Sequence, residues 1–167
     1  IDNAFNTVKI DFAYNAQRQA ERLLKDYMSG SSKLRIIKWL QNEDHFTKEE
    51  AETGVNRLNY DFKINIRDWI NRHYIDSGSW EWKLYSKNSI IRHLTDSDEF
   101  VESEVREVLA EYNINYTERA RLRAIDILKN GKYSRSNLIK TLINYYKFTE
   151  EEATNAVKDL KHENLTD

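Results

Sequence analysis

Apolar residues recur at fixed offsets in three stretches of the chain. Each stretch is anchored on a phenylalanine, and a serine lies fourteen residues before it. Two large aliphatic residues, a leucine and, beyond the phenylalanine, three further apolar residues complete the pattern. The matching positions are Ser32, Ser86 and Ser134; Ile36–Ile37, Ile90–Ile91 and Leu138–Ile139; Leu40, Leu94 and Leu142; Phe46, Phe100 and Phe148; Ala51, Val105 and Ala153; Val55, Leu109 and Val157; and Leu58, Tyr112 and Leu160. A pattern with a period of about fifty residues indicates a tandem array of supersecondary units.

Each copy of the pattern predicts three helices. The first begins near Asp11–Phe12, Asp61–Phe62 or Asn115–Tyr116, where an Asp or Asn side chain can cap the first turn. The second opens at the shared serine, which is a favourable N-cap residue. Apolar residues follow the start of the first helix at helical spacing, as Ala16, Ala20 and Leu24 in the first copy and Ala120, Ala124 and Leu128 in the third.

The third helix opens with a capping box in two of the copies. Thr47 precedes Glu50 by three residues, and Thr149 precedes Glu152 in the same way. In the middle copy Val101 replaces the threonine although Glu104 keeps its place, so we expect this helix to begin less firmly.

These elements predict an all-α protein made of three tandem three-helix, helix-turn-helix-like repeats stacked into one array. We assign residues 1–10 to an N-terminal lead-in, 11–60 to repeat 1, 61–114 to repeat 2 with a tryptophan-containing insertion, and 115–167 to repeat 3. The step from each phenylalanine to the next first helix is fifteen residues in both cases. Links this short favour stacking of neighbouring units.

The insertion in repeat 2 includes residues 76–82 and carries Trp80 and Trp82. Exposed aromatic residues are enriched at binding hot spots, so the two rings could anchor a partner. The alternative is that they fold back over the adjacent helix and fill the space that the insertion opens.

Composition agrees with a helical protein. Of 167 residues, 40% are apolar and 32% are charged, with no proline and only four glycines. An all-β sandwich needs turn residues at short intervals, so this composition disfavours one. Zero cysteine removes disulfides and thiolate metal sites. No apolar run approaches the roughly 18 residues of a membrane span.

Candidate catalytic chemistry is sparse. The histidines His45, His73, His93 and His162 fall at unrelated places in the repeat, and no two have the i, i+4 spacing of a helical metal pair. The four glycines are isolated, so there is no phosphate-binding loop. Capping explains the recurring serines. The sequence therefore predicts a protein that is not an enzyme and has no cofactor or metal.

Binding to nucleic acid has little support from the charges. The net charge is −2, and the start of each third helix is acidic. DNA-binding helix-turn-helix proteins have Lys and Arg at that position. The acids are Glu49, Glu50 and Glu52; Glu102, Glu104 and Glu107; and Glu150, Glu151 and Glu152. Helix-dipole stabilisation accounts for these acids without a function. Repeat 3 carries a basic set, which we interpret as a solvated face, the alternative being a nucleic-acid contact: Arg119, Arg121, Arg123, Lys129, Lys132 and Arg135.

The repeat resembles that of the Ltp-type host-cell-surface-exposed lipoproteins of Gram-positive bacteria and their phages. Repeat 3 matches best, through Ser134, Leu138, Ile139, Leu142, Phe148, Thr149, Glu151, Glu152, Ala153, Val157 and Leu160. The resemblance runs from about Asp11 to Leu160. It implies a small helical bundle held outside the membrane on a lipid-modified cysteine, in proteins that exclude superinfecting phages by contacting a tail or injection protein. This sequence has no such cysteine, so we expect the membrane to be reached only through an anchor upstream of residue 1.

The sequence therefore predicts a non-enzymatic, cell-surface binding protein that blocks phage DNA entry. The acidic third helices would offer a negative face to a basic segment of the phage protein. The residues predicted to bind the partner are Glu49, Glu50, Glu52, Glu102, Glu104, Glu107, Glu111, Trp80 and Trp82. The alternative is a cytosolic regulator of the RecX type that binds nucleic acid or a recombinase. The segment Leu160–Asp167 faintly resembles part of the repeats of those regulators.

Overall fold

The computed structural model describes residues 10–166, and it is mostly helical, with 66% helix and 3% strand. This confirms the predicted helical character. The α-helices of the described residues are α1 (Phe12–Asp26), α2 (Lys33–Asn42), α3 (Lys48–Asn56), α4 (Lys63–Ile70), α5 (Lys87–Arg92), α6 (Glu102–Ala110), α7 (Tyr116–Lys129), α8 (Arg135–Asn144) and α9 (Glu150–Lys158). Two π-helical turns (Asn71–Ile75 and His93–Ser97) extend α4 and α5, and a 3₁₀ turn (Trp82–Leu84) lies in the insertion. Two short strands, β1 (Tyr133–Ser134) and β2 (Leu165–Thr166), pair in parallel.

The chain divides into two compact units between Asn65 and Ile66. In the first unit, α1 packs on α3 and α2, and the cluster between them includes Ile36 and Leu40. In the second unit one cluster forms around α4, α5 and α6 and another around α7, α8 and α9. The apolar positions of the sequence pattern supply most of these clusters. Those with no exposed area include Ile36, Ile90 and Leu138; Leu40, Leu94 and Leu142; and Ala51, Val105 and Ala153.

Side-chain caps fix the starts of most helices, as the sequence predicts. Asp11 and Asn115 accept hydrogen bonds from backbone N–H groups in the first turns of α1 and α7. The serines before α2, α5 and α8 cap those helices in the same way. Both capping boxes are present, on α3 and α9. Val101 makes no side-chain cap, yet α6 has nine residues, as α3 and α9 have.

The turn before each third helix has one backbone geometry at three places. His45, Glu99 and Lys147 adopt left-handed conformations with φ of 59°, 59° and 61°. The N–H of the phenylalanine that follows each of them donates to the carbonyl of the leucine six residues earlier, at 3.0–3.1 Å. This bond spans one residue more than the six-to-one bond of a Schellman helix end, and it shares with that motif the left-handed residue just before the N–H donor. The turn therefore directs the phenylalanine back toward the preceding helix.

No helix within residues 10–166 is long and apolar enough to cross a membrane.

Candidate binding surfaces

A groove of about 530 Å³ lies in the first unit, beside the start of α1 and the first half of α3. Its lining residues are Ile10, Asp11, Phe12, Ala13, Thr47, Glu49, Glu50, Thr53 and Arg57. Ile10 and Phe12 are 56% and 50% exposed. Two of the glutamates predicted to bind a partner, Glu49 and Glu50, thus line one concave surface together with exposed apolar side chains.

The charged side chains of this groove differ in whether they already form hydrogen bonds or ion pairs within the chain. The carboxylate of Glu50 accepts the N–H of Thr47 at 2.8 Å as part of the capping box. Arg57 donates to Asp11 at 2.8 Å, and this bond, with the N–H of Tyr14, holds the pKa of Asp11 below its usual value. Glu49 is exposed and forms no hydrogen bond or ion pair with any other described residue. Glu49 is therefore the carboxylate of the groove most open to a cationic partner.

The other predicted glutamate of this helix lies apart from the groove lining. Glu52 is 3.8 Å from the Lys48 ammonium group, one helical turn away on α3. An i, i+4 pair of this kind contributes about 0.3–0.5 kcal/mol and partly offsets the charge of Glu52. The structure thus brings Glu49 and Glu50 together but not Glu52.

In the second unit the predicted acids are partly neutralised. Glu102 accepts from Arg106 at 2.6–2.7 Å on α6. Glu111 holds Arg67 in a two-bond pair at 2.7 and 2.8 Å, which ties the end of α6 to α4. Of the remaining two, Glu104 is half-buried and Glu107 is exposed.

The two insertion tryptophans have different surroundings. Trp80 is 52% exposed. Trp82 is half-buried, stacked on Tyr85 with ring centroids 5.6 Å apart and planes 6° apart, and it also contacts the ring of His93. Trp80 therefore has the exposure that a partner anchor needs, whereas Trp82 packs back into the second unit.

An aromatic and imidazole cluster surrounds Trp82, and sequence reasoning did not find it. The rings of Trp69 and His73 stack at 3.8 Å, and both histidines of this region lie beside Trp82. The Tyr74 hydroxyl lies 2.6 Å from Nδ1 of His93, and burial raises the pKa of Tyr74. The two histidines are twenty residues apart in sequence, and each lies in one of the two π-helical turns.

The interpretation of the basic set in repeat 3 as a solvated face is wrong for three of its members. Arg135 is half-buried and donates to the carbonyls of Val157, Lys158 and Leu160. Arg123 is only 5% exposed, and its guanidinium donates to the Glu81 carbonyl while lying over the Tyr146 ring. Arg119 is half-buried and donates to the carbonyls of Tyr74 and Tyr85. A guanidinium group has several N–H donors, and these arginines use theirs on backbone carbonyls, which is why they point inward.

Exposed large apolar side chains are concentrated in the first unit. Within residues 10–166, the first unit has Ile10, Phe12, Tyr14, Tyr27, Leu34, Trp39, Tyr60 and Ile64, whereas the second has Trp80, Val101 and Tyr145. The described residues contain no group of three or more His, Asp or Glu side chains arranged to hold a metal ion.

Comparisons of this chain with protein-family models, with curated proteins and with solved structures find no match.

Proposed function

We propose that this chain is a non-enzymatic protein-binding module made of three copies of one three-helix unit, and that a partner docks in the groove of the first unit. The proposal rests on one observation, which is that the groove combines exposed apolar side chains with an exposed carboxylate. Ile10 and Phe12 supply apolar area, and Glu49 supplies the charge. Apolar anchors give affinity in such a site, and charges select the partner and speed its approach.

Three recurrences support the three-copy part of the proposal. The serine caps, the left-handed residues before the phenylalanines, and the hydrogen bonds from each phenylalanine N–H to the carbonyl of the leucine six residues earlier all occur at matching sequence positions. The left-handed residues and these hydrogen bonds add a recurring backbone geometry to the side-chain pattern of the sequence.

The partner that fits the groove is a protein segment with basic and apolar residues. With the resemblance to the Ltp-type lipoproteins, this leads us to propose capture of a phage tail or injection protein at the cell surface, which prevents DNA entry. The full-length protein would hold the module outside the membrane on a lipid anchor. The alternative of a RecX-type regulator rests on the faint resemblance of Leu160–Asp167. A nucleic-acid contact by the basic set of repeat 3 has less support, because Arg119 and Arg123 donate to carbonyls of the second unit.

Charge reversal at Glu49 tests the proposal with a matched control. Glu49→Lys should restore phage plating on cells that carry the anchored protein, because it replaces the open carboxylate of the groove with a repelling cation. Glu151→Lys is the control, since Glu151 is exposed and lies at the corresponding position of α9. Reversal of Glu111 is less informative because it also breaks the pair with Arg67.

Circular dichroism should show that both variants keep the helical content of the wild-type protein. Protection that survives both Glu49→Lys and Glu49→Lys combined with Phe12→Ala in a folded protein would contradict a role for the groove. Equal loss in Glu151→Lys would show that net charge, and not this surface, carries the effect.

A further inference from the structure

The aromatic residue that starts each first helix has a different environment in the first copy. Phe62 is only 8% exposed and packs into the cluster formed by α1, α2 and α3, that is, by the copy before it. Tyr116 is half-buried and packs against the cluster of α4, α5 and α6, again the copy before it. Phe12 occupies the same place at the start of α1 and is 50% exposed. The ring of Phe62 thus packs on the helices of the first unit, and the ring of Tyr116 packs α7 on the cluster of α4, α5 and α6.

A hydrogen bond accompanies each of these docked rings. Nδ2 of Asn65 donates to the Ser31 carbonyl at 2.8 Å, and Nη1 of Arg119 donates to the Tyr85 carbonyl at 3.2 Å. Both donors stand four residues after the residue that opens their copy, and both acceptors immediately precede an N-cap serine. We call the turn with this carbonyl, between the first and second helices of a copy, the corner. Asn15 is the equivalent donor in the first copy, and it is exposed.

The corner of the third copy is occupied by another part of the chain. Its carbonyl belongs to Tyr133, just before the N-cap Ser134, and it accepts the Thr166 hydroxyl at 3.4 Å. The Tyr133 N–H donates to the Asn164 carbonyl at 2.9 Å, and Nδ2 of Asn164 donates to the Leu128 carbonyl at 2.8 Å. Residues 162–166, which we call the closing segment, therefore lie where the first helix of a further copy would dock.

We propose that the groove of the first unit, which Phe12 lines, binds a corner of the kind that holds Phe62 and Tyr116. In the intact chain, the closing segment covers the third corner and so prevents that corner from binding the groove of a neighbouring molecule. The inference rests on the groove being a docking site, as in the proposed function. It adds the structure of the bound partner, which is a corner that offers a free backbone carbonyl to Asn15 and an apolar recess to Phe12.

Charge favours this occupant as well. The third corner lies between α7 and α8 and carries the exposed Lys129 and Lys132. The groove carries Glu49 and Glu50. Cationic side chains are also favoured at the end of a helix, where the carbonyls are free. A groove on one molecule and a corner on the next form a heterologous contact, which extends into chains of molecules unless something covers one of the two surfaces.

Removal of residues 162–167 tests this proposal without any phage component. The wild-type chain should stay monomeric in sedimentation velocity, and the shortened chain should form head-to-tail oligomers that grow with concentration. Phe12→Ala in the shortened chain should weaken the association about tenfold or more, because it removes the anchoring ring. Tyr14→Ala is the matched control, since Tyr14 is an exposed aromatic residue of α1 outside the groove. A peptide of residues 160–167 added in trans should dissociate the oligomers.

A second variant covers the case in which the shortened chain loses its fold. Asn164→Ala with Leu165→Ala loosens the closing segment but leaves its backbone in place, and it should give weaker association with the same dependence on Phe12. A folded variant that remains monomeric, or associates equally well with Phe12→Ala, would overturn the proposal. A wild-type chain that already associates as strongly would overturn the blocking role of the closing segment. Self-association is measured apart from phage plating, so either proposal can fail while the other stands.

Discussion

Gly54 sets how closely two helices of the first unit approach, and replacing it is our most direct test of that packing. A Cβ atom at Gly54 would lie 2.7 Å from Cβ of Ala16, 2.7 Å from the backbone N of Gln17 and 2.8 Å from the carbonyl O of Ala13. All three atoms belong to α1, which packs on α3 here. Two of the three are backbone atoms, so no side-chain rotation can relieve the clash.

The size of the effect follows from these distances. Ordinary contact of a Cβ begins at 3.4 Å, so α1 must move away from α3 by roughly 0.6–0.7 Å. Forcing extra volume into a packed core costs about 1–3 kcal/mol, and the backbone contacts argue for the upper half of that range. Alanine recovers about 0.8–1.0 kcal/mol through its better helix propensity. Gly54→Ala should therefore lower the free energy of unfolding by about 1–2 kcal/mol.

Urea unfolding followed by far-ultraviolet circular dichroism measures this change, and thermal unfolding should show a loss of about 2–8 °C for a chain of this size. Gly78→Ala is the control, because a Cβ there meets no described atom within 4 Å. Its stability should stay within about 0.5 kcal/mol of wild type. Ala16→Gly in the Gly54→Ala background removes one of the three close atoms, so it should recover only part of the loss.

A Gly54→Ala protein as stable as wild type, or more stable, would refute the close approach of α1 and α3. Full recovery by Ala16→Gly would also refute the reasoning, since it would mean that the two backbone contacts do not matter.

Three further predictions concern single positions. Val101→Thr supplies the missing N-cap hydroxyl of α6, so it should raise the free energy of unfolding by about 1 kcal/mol in urea titrations. Tyr116→Phe should raise it by a similar amount, about 1 kcal/mol, because the buried hydroxyl has no hydrogen-bond partner among the described residues and burial raises its pKa to about 12. Arg57→Gln should return the pKa of Asp11 toward about 3.9, as seen by NMR titration of the carboxyl carbon. Since the folded-state pKa is lowered, the Arg57 contact stabilises the protein above about pH 4, and that contribution disappears as the pH falls through the folded pKa. A lower free energy of unfolding in Val101→Thr or in Tyr116→Phe would contradict the reasoning for that variant. An unchanged pKa of Asp11 in Arg57→Gln would contradict the effect of the Arg57 contact.

Helix starts could be predicted from the sequence because capping is a local interaction. The serine and threonine caps bond to N–H groups only three residues away. The residue type and its spacing to the first apolar positions therefore contain most of the information. The same reasoning identified Val101 as a position without a cap, and the structure agrees.

The left-handed residues before the phenylalanines could not be predicted in this way. Glycine or asparagine usually takes such a conformation, but this chain uses His45, Glu99 and Lys147, which share no chemical feature. The conformation accompanies the hydrogen bond between the backbone groups of the phenylalanine and of the leucine six residues before it. Those residues are visible in the apolar pattern, but the strained residue between them is not.

The contacts of Arg119, Arg123 and Trp82 were beyond sequence reasoning for a different reason. Each joins residues that are 34 to 45 positions apart or lies in a ring cluster drawn from several elements. Contacts between residues so far apart in sequence leave no signature in composition or periodicity. Surface charge counted from sequence therefore included arginines that the fold uses internally.

Ion pairs at the ends of α3 and α6 decide which charged side chains are open to a partner. Arg57 follows α3 and pairs with Asp11 at the start of α1, at 2.8 Å. Glu111 follows α6 and pairs with Arg67 of α4, at 2.7 Å. An alternative function for Glu111 in partner binding would have to compete with this pair, whereas Glu49 faces no such competitor. For that reason the groove of the first unit, and not the more acidic middle of the chain, is where we expect a basic partner to dock.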